Sequence, residues 1–219
     1  MRARVRGPAG HGGRVGATDK AGPRRRARAV PGGKRPAPLG REAWLDAARS
    51  ALIEAGIGGV EVGKLARRLG VTRGGFYWFF RSRARLLDEL LAYWERTSAA
   101  LFEGILRHDT RHGIREFRAL VDLWLQETEY DPAWDAAIRD WARTSPKVAR
   151  VVRRADDRRI EVLRQVFMDL GYGNPEALVR ARVTYYHQIG YYALGVRQTR
   201  RERLKLLPYY VKVLTGRPA

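Results

Sequence analysis

The sequence contains no cysteine and few acidic residues, and both shortages limit what the protein can be. Without cysteine, the 219-residue chain can form neither a disulfide nor a thiolate zinc site, which fits a reducing cytoplasm. There is no run of about eighteen apolar residues and no apolar segment typical of a secretory signal, so we expect no membrane span. Only 23 acidic residues stand against 43 Lys and Arg, and the net charge of +20 favours a polyanionic partner.

Residues 1–40 differ in composition from the rest of the chain. They hold nine of the 23 glycines, five of the ten prolines and eleven Lys or Arg against a single acidic residue, Asp19. Because apolar periodicity is missing, we predict a disordered basic segment. Three interpretations remain open: an arm that binds DNA, an over-long start with translation beginning near Leu39, or a targeting peptide. The last is disfavoured because the segment has no serine and no amphipathic pattern.

Residues 62–87 have the pattern of a helix-turn-helix. Apolar residues recur at helical spacing over 62–69, and Gly70 is expected to end that helix. Thr72 is a suitable N-cap for a second short helix, and Ser82 for a third. In a helix-turn-helix the second helix lies in the DNA major groove and the first crosses the backbone.

The same stretch is strongly basic, with seven Lys or Arg between Val60 and Arg85 against one acidic residue, Glu61. Phosphates need cations in fixed positions, and a short basic unit with an apolar underside supplies them. A generic helix pair with a solvated basic face is the alternative interpretation.

The segment 70–80, which reads GVTRGGFYWFF and is followed by Ser-Arg, resembles the N-terminal signature of the TetR family of bacterial transcription regulators. The resemblance implies that Tyr77 contacts the DNA backbone and that Arg83 replaces a phosphate-binding lysine with a different donor geometry. Phe79 departs from the usual His or Tyr, and Glu61 from the usual Thr or Ser. The predicted DNA-contacting residues are Lys64, Thr72, Arg73, Gly74, Gly75, Tyr77, Trp78 and Arg83.

By this resemblance the protein is all-α, with an N-terminal three-helix DNA-binding domain and a C-terminal helical domain for dimerisation and ligand binding. We therefore predict a tail over 1–40, a DNA-binding domain over 41–98 and an effector and dimerisation domain over 99–219. The implied function is a cytoplasmic homodimeric repressor, released from a palindromic operator in double-stranded DNA by a small-molecule effector. The alternative is a sequence-nonspecific basic protein that compacts DNA and needs no palindrome.

Beyond residue 99 the apolar pattern is helical, without strand alternation. Asp131-Pro132, Ser145-Pro146 and Asn174-Pro175 are each expected to start a helix, because the first helical position needs no N–H. Pro208 is expected to kink or split the last helix.

The last two helices carry an apolar stripe, and by resemblance the corresponding family helices pair across a two-fold axis. Small residues and tyrosines there suit an interface, but the tyrosines would equally complete the core of a single chain. The predicted interface residues are Tyr185, Ile189, Tyr192, Val196, Leu204, Leu207, Val211 and Leu214.

The resemblance also implies an effector pocket between the middle helices, which aromatic side chains would line. An aromatic stripe at helical spacing is equally typical of a packed core. The candidate pocket residues are Phe117, Trp124, Trp134, Trp141 and Tyr186.

No motif for catalysis, a cofactor or a metal completes a site, and we expect no enzyme. His108 and His112 stand four residues apart, but HDTRH is not HExxH, and a solvated turn is the simpler interpretation. A peripheral membrane protein would need bulky apolar anchors in the basic segment, which the sequence lacks.

Removal of the basic segment tests its role. A protein that starts at Leu39 should bind all DNA more weakly at low salt, because each lost phosphate contact makes the log–log salt slope shallower by about 0.9. Its preference for operator over random DNA should persist, since phosphate contacts carry no sequence information. Mobility-shift titrations from low to physiological salt measure both quantities. Equal affinities and slopes would rule out an arm and favour the over-long start.

Overall fold

In the computed structural model, residues 40–106 and 113–217 are described, and they form nine helices without a strand. This confirms the all-α prediction. The predicted tail, apart from Gly40, and the His108–His112 pair lie outside the described residues. The helices are α1 (Arg41–Gly59), α2 (Val62–Arg68), α3 (Arg73–Phe79), α4 (Arg83–Ile105), α5 (Ile114–Gln126), α6 (Pro132–Thr144), α7 (Pro146–Asp169), α8 (Asn174–Ala193) and α9 (Arg200–Thr215).

Side-chain caps start several helices where the sequence predicts them. Ser82, Asp131 and Ser145 each accept a hydrogen bond from the backbone N–H three residues later, at 3.2, 3.1 and 3.5 Å. The first helix leaves helical geometry at Ala55 and Gly56, where Gly56 has φ 63°, before a last turn reaches Gly59. The side chains of these three N-cap residues therefore satisfy backbone N–H groups that have no partner within the helix.

Three local features differ from the sequence prediction. Thr72 stands at the N-cap of α3, but its side chain makes no capping bond. The N-cap of α8 is Gly173, so Asn174 already belongs to the helix. Most notably, α9 runs through Pro208 as one helix. Pro208 is exposed, and so is Leu204, whose carbonyl loses its helical partner; water can satisfy that carbonyl.

Two apolar clusters organise the helices. The head cluster joins α1 to α4 with α6 and the first half of α7, around the fully buried Trp44 and Phe76. The body cluster joins the end of α4 with α5, the second half of α7, α8 and α9, around Phe117 and Phe167. Packing is continuous across residue 98, because α4 runs through that point and α6 packs against α1, and the domain boundaries stay a prediction.

A buried ion cluster of Asp135, Arg139, Asp156, Arg159 and Tyr185 ties α6, α7 and α8 together. Asp135 accepts hydrogen bonds from Arg139 Nε at 2.7 Å and from Arg159 Nη2 at 2.9 Å. Asp156 accepts from Arg139 Nη2 at 2.7 Å and from the Tyr185 hydroxyl at 2.6 Å. Arg159 Nη1 in turn donates to the Tyr185 hydroxyl at 3.0 Å. Each buried charge therefore faces an opposite one.

Within the ion cluster, the carboxylate of Asp135 stays ionised and the hydroxyl of Tyr185 stays protonated, as their hydrogen bonds require. Burial opposes the charged form of Asp135, but the guanidiniums of Arg159 and Arg139 outweigh it and hold the pKa below its usual value. Burial raises the pKa of Tyr185, so its hydroxyl keeps the proton that it donates to Asp156.

Substitution of Asp135 tests the contribution of the ion cluster to stability. Asp135→Asn should lower the free energy of unfolding by about 3–5 kcal/mol, because the buried guanidinium of Arg159 and the partly buried one of Arg139 then face a neutral amide. Glu176→Gln, which breaks the exposed pair with Arg180, is the control and should cost less than about 1 kcal/mol. Urea unfolding followed by circular dichroism measures both.

The stability difference between the natural protein and Asp135→Asn should depend on pH. The pKa of Asp135 is lower in the folded protein than in the unfolded chain, where it is about 3.9. The contribution of the Asp135 charge to the free energy of unfolding is therefore complete above about pH 3.9 and is lost as the pH falls through the folded pKa. The stability gap between the natural protein and Asp135→Asn should therefore narrow on acidification. A gap no larger than that of the Glu176 control at neutral pH would contradict the assigned role.

Candidate nucleic-acid interface and ligand pocket

An aromatic stack fixes the orientation of α3. The Phe76 ring is fully buried, meets Trp44 edge-on at 5.3 Å between centroids and stacks on Phe80 at 5.4 Å. Trp44 is thus a core residue, as its place in the apolar stripe of α1 indicates. Because α3 is only seven residues long, this anchored face determines which side chains point outward.

The outward face of α3 presents two aromatic side chains. Tyr77 is 61% exposed and Trp78 is 88% exposed, the highest value among the exposed large hydrophobic residues of the described ranges. Arg73 and Gly74 lie one turn earlier on the same face and are also exposed. A large apolar side chain held this far into solvent costs free energy unless a partner covers it, which makes this pair informative.

Exposed cations lie on the segments that flank α3 in the sequence. Arg67, Arg81 and Arg85 are exposed and form no ion pair within the described part of the chain. Lys64, by contrast, donates to Glu61 at 2.8 Å, a bond between two exposed groups that a stronger anion would displace. The segments next to α3 therefore offer exposed cations in addition to its two aromatic side chains.

Gly63 is a residue of this surface that the sequence analysis did not single out. A Cβ at this position would lie 2.8 Å from Arg73 Nη2, so the glycine leaves room for that guanidinium to lie over α2. No sequence signal distinguishes this glycine, because the requirement comes from a neighbour ten residues later.

Arg83 has a structural role that the family resemblance did not imply. It donates Nε to the carbonyl of Val60, and Nη2 to the carbonyl of Ile57 at 2.7 Å. These carbonyls belong to the end of α1, where helical partners are missing. Arg83 thereby fastens the end of α1 to the start of α4, and its role as a phosphate contact stays a prediction.

A pocket lies between α5, α8 and α9, and two of the five candidate aromatic residues, Phe117 and Trp124, line it. The other three candidates are elsewhere. Trp134 and Trp141 belong to the head cluster, because α6 turns its apolar face toward α1. Tyr186 is exposed, since the neighbouring Tyr185 occupies the inward face of α8.

Most of the predicted interface residues pack in or against the body cluster within the chain. These tyrosines and aliphatic residues mostly face the interior, because α8 and α9 are apolar on two sides and the chain covers one of them. Six of the eight predicted residues are buried or packed in the body cluster: Tyr185, Ile189, Tyr192, Leu207, Val211 and Leu214. Val196 and Leu204 are exposed.

A different set of apolar residues is exposed on these two helices, and we call it the outer stripe. On α8 its members are three, four or eight residues apart, so they share one face. The outer stripe consists of Val179, Val183 and Tyr186 on α8, of Leu194 at the C-cap of α8, and of Leu206, Tyr209 and Val213 on α9.

The described residues contain neither a metal site nor a membrane-spanning helix. Within 40–106 and 113–217, no three His, Asp or Glu side chains come together as a metal site. No helix in these ranges has the length and apolarity that crossing a membrane requires.

Comparison with known proteins assigns the helix-turn-helix. Residues 45–90 match the family described as "Bacterial regulatory proteins, tetR family". The tetracycline repressor protein class D of Escherichia coli is 43% identical over 52 residues, which cover 24% of this chain and 24% of the repressor. The match thus spans about a quarter of this curated relative.

Solved structures extend the likeness to the whole fold. A TetR transcriptional regulator from Legionella pneumophila has a TM-score of 0.59 at 16% identity, over 80% of this chain and 93% of that one. A transcriptional regulator from Rhodococcus sp. Rha1 has a TM-score of 0.56 at 22% identity, over 80% and 91%. At these identities the likeness concerns the fold. The family match itself is confined to residues 45–90, which hold the helix-turn-helix.

Gly74 offers a direct test of the outward face of α3. A Cβ at Gly74 would meet only Thr72 Oγ1, at an ordinary 3.6 Å, so Gly74→Leu should fold normally. The added side chain should abolish sequence-specific DNA binding, because it holds the helix backbone away from the groove. Mobility-shift titration with circular dichroism in parallel measures both.

Gly104→Leu is the matched control, since Gly104 also has open space but lies near the far end of α4. It should bind DNA like the natural protein. Unchanged operator affinity in a folded Gly74→Leu protein would contradict docking through α3.

Proposed function

We propose that this protein is a DNA-binding transcription regulator, a repressor that binds a palindromic operator as a homodimer and releases it when a small molecule occupies the α5–α8–α9 pocket. The observation that carries the proposal is the Tyr77–Trp78 pair, projected into solvent from a short anchored helix whose flanking segments carry exposed arginines. The repressor named above, similar over this domain, supports it. A regulator of genes in a bacterial cell would act in the cytoplasm.

With α3 docked in the major groove, the aromatic residues and the arginines would make different contacts with DNA. Trp78 and Tyr77 supply apolar contact with thymine methyl groups and the sugar-phosphate edge. Arg73, at the start of α3, is long enough to reach a base edge, and a bidentate contact with guanine is worth about 1–3 kcal/mol. Arg67 and Arg81, at the sides, bind phosphates and fix the register without reading sequence.

The outer stripe is the proposed dimer interface. Gly190 lies between Tyr186 and Leu194 on the same face of α8, and open space surrounds its Cβ position. A helix from a second copy can therefore approach closely at this point while the flanking side chains pack around it. Burial of a continuous apolar face on two helices is the kind of surface that stable homodimers use.

Helix α8 links ligand and DNA in this proposal, because its inner face lines the pocket and its outer face carries the interface. A ligand that moves α8 changes how two copies are related, and hence the separation of their α3 helices. Binding to successive major grooves requires about 34–36 Å between half-sites. A differential affinity of a few kcal/mol between two such states switches the occupancy of the operator.

Selection of bound sequences from a random DNA pool tests the proposal. The natural protein should enrich a palindrome with half-sites about one helical turn apart. Val183→Glu, which places a charge in the outer stripe, should be monomeric by light scattering and should lose the palindrome. Met168→Glu is the matched control, because Met168 is an exposed apolar residue on α7, and it should behave like the natural protein.

The outcomes separate the two candidate functions. No enriched sequence, with binding that depends only on salt, would favour the DNA-compacting alternative. A dimer that persists in Val183→Glu would move the interface away from the outer stripe while leaving the DNA-reading role intact.

A further inference from the structure

The wall of the α5–α8–α9 pocket contains two buried polar atoms without hydrogen-bond partners, one on each of two side chains of α8. Thr184 and Gln188 lie one turn apart on α8, line the pocket and are only 1% and 7% exposed. Neither Thr184 Oγ1 nor Gln188 Nε2 has a hydrogen-bond partner. A buried polar atom left unsatisfied costs about 1–3 kcal/mol, so the pair favours any occupant that supplies the missing bonds.

The rest of the lining is mainly apolar and aromatic, with His187, Gln198 and Arg203 as its other polar members. Phe117 and Trp124 of α5 and Leu207 and Leu214 of α9 surround the polar pair. The cavity offers about 70 Å³ to the centre of a water molecule, several times the minimum of roughly 10–15 Å³ that one water needs. This space suits a molecule with one ring, with its apolar body against α5 and α9 and one polar end toward α8.

Among the described residues, the lining of this pocket has no unpaired arginine or lysine for an anionic ligand. Arg203 is the arginine of the lining, and it already donates to Glu127 Oε1 at 2.8 Å and to the Trp124 carbonyl at 2.9 Å. His187 contacts the ring of Tyr210, at 4.9 Å between centroids, and desolvation lowers its pKa. A carboxylate would therefore lose its hydration without gaining an unpaired positive partner.

We infer that the ligand of this pocket is an uncharged one-ring molecule that carries a carbonyl oxygen at one end, bound by Gln188 Nε2 and Thr184 Oγ1. The inference rests on the proposed function, in that it specifies the chemical class of the effector. An oxygen acceptor satisfies the Gln188 amide N–H, and the Thr184 hydroxyl donates to the same oxygen. The ring replaces water against Phe117 and Trp124, which adds apolar burial.

Three probes of similar size test the inference on the full chain without DNA: acetophenone, cumene and benzoate. Isothermal titration calorimetry should give acetophenone about tenfold higher affinity than cumene, as expected for a bond that satisfies a buried donor. Benzoate should bind more weakly than acetophenone. In Gln188→Leu the preference for acetophenone over cumene should fall to near one, and Thr184→Val should reduce it in part.

Gln126→Leu is the matched control, because Gln126 is exposed at the end of α5 and does not line this pocket; it should keep the natural preference. Equal affinities for acetophenone and cumene, tightest binding of benzoate, or no binding of any probe would each overturn the inference. Retention of the acetophenone preference in Gln188→Leu would do the same. No DNA is present in these titrations, so a ligand that fails to release the operator would not change the measured binding preferences. Likewise, the loss of these preferences would not contradict the binding of a palindromic operator.

Discussion

The buried ion cluster is the constraint on which the arrangement of the described helices depends. Arg159 makes this clearest, because its guanidinium lies over the rings of Trp94 in the head cluster and Phe102 in the body cluster, at 5.4 and 5.0 Å. It also donates to Ser98 of α4 and to Asp135 of α6. Geometry of this kind is demanding, since buried charges are tolerated only when every one is paired. The head cluster and the body cluster are thereby attached to one charged scaffold.

Helix α8 meets three environments on three faces. Tyr185 enters the ion cluster, Thr184 and Gln188 face the pocket, and Tyr186 is exposed in the outer stripe. Because Thr184 and Tyr185 are consecutive, a ligand that pulls on one displaces a residue that contacts Arg159 and Asp156. The physical link between pocket and head would then consist of packed side chains and charge pairs with defined partners, which is what a coupled two-state element requires.

The sequence predicts local structure here better than it predicts which surfaces meet. Ser82, Asp131 and Ser145 cap their helices because capping depends on residues three positions apart. The pairing of Asp135 with Arg159 joins positions 24 apart on different helices, and no local pattern reports it. The predicted interface stripe lies mostly against the body cluster for a related reason: α8 is apolar on two faces, and amphipathic spacing cannot tell which one the chain itself covers. Of the candidate pocket residues, Phe117 and Trp124 line the α5–α8–α9 pocket, whereas Trp134 and Trp141 lie in the head cluster because α6 packs against α1.

The central claim is that two copies of α3 read DNA one helical turn apart. Hydroxyl-radical footprinting of the full chain on a selected palindrome measures this most directly, because it maps backbone protection nucleotide by nucleotide. The account predicts two protected patches on one face of the duplex, with centres about 10–10.5 base pairs or a whole multiple of that apart, and less protection between them. Uniform protection without a helical repeat, or a single patch per bound complex, would contradict it.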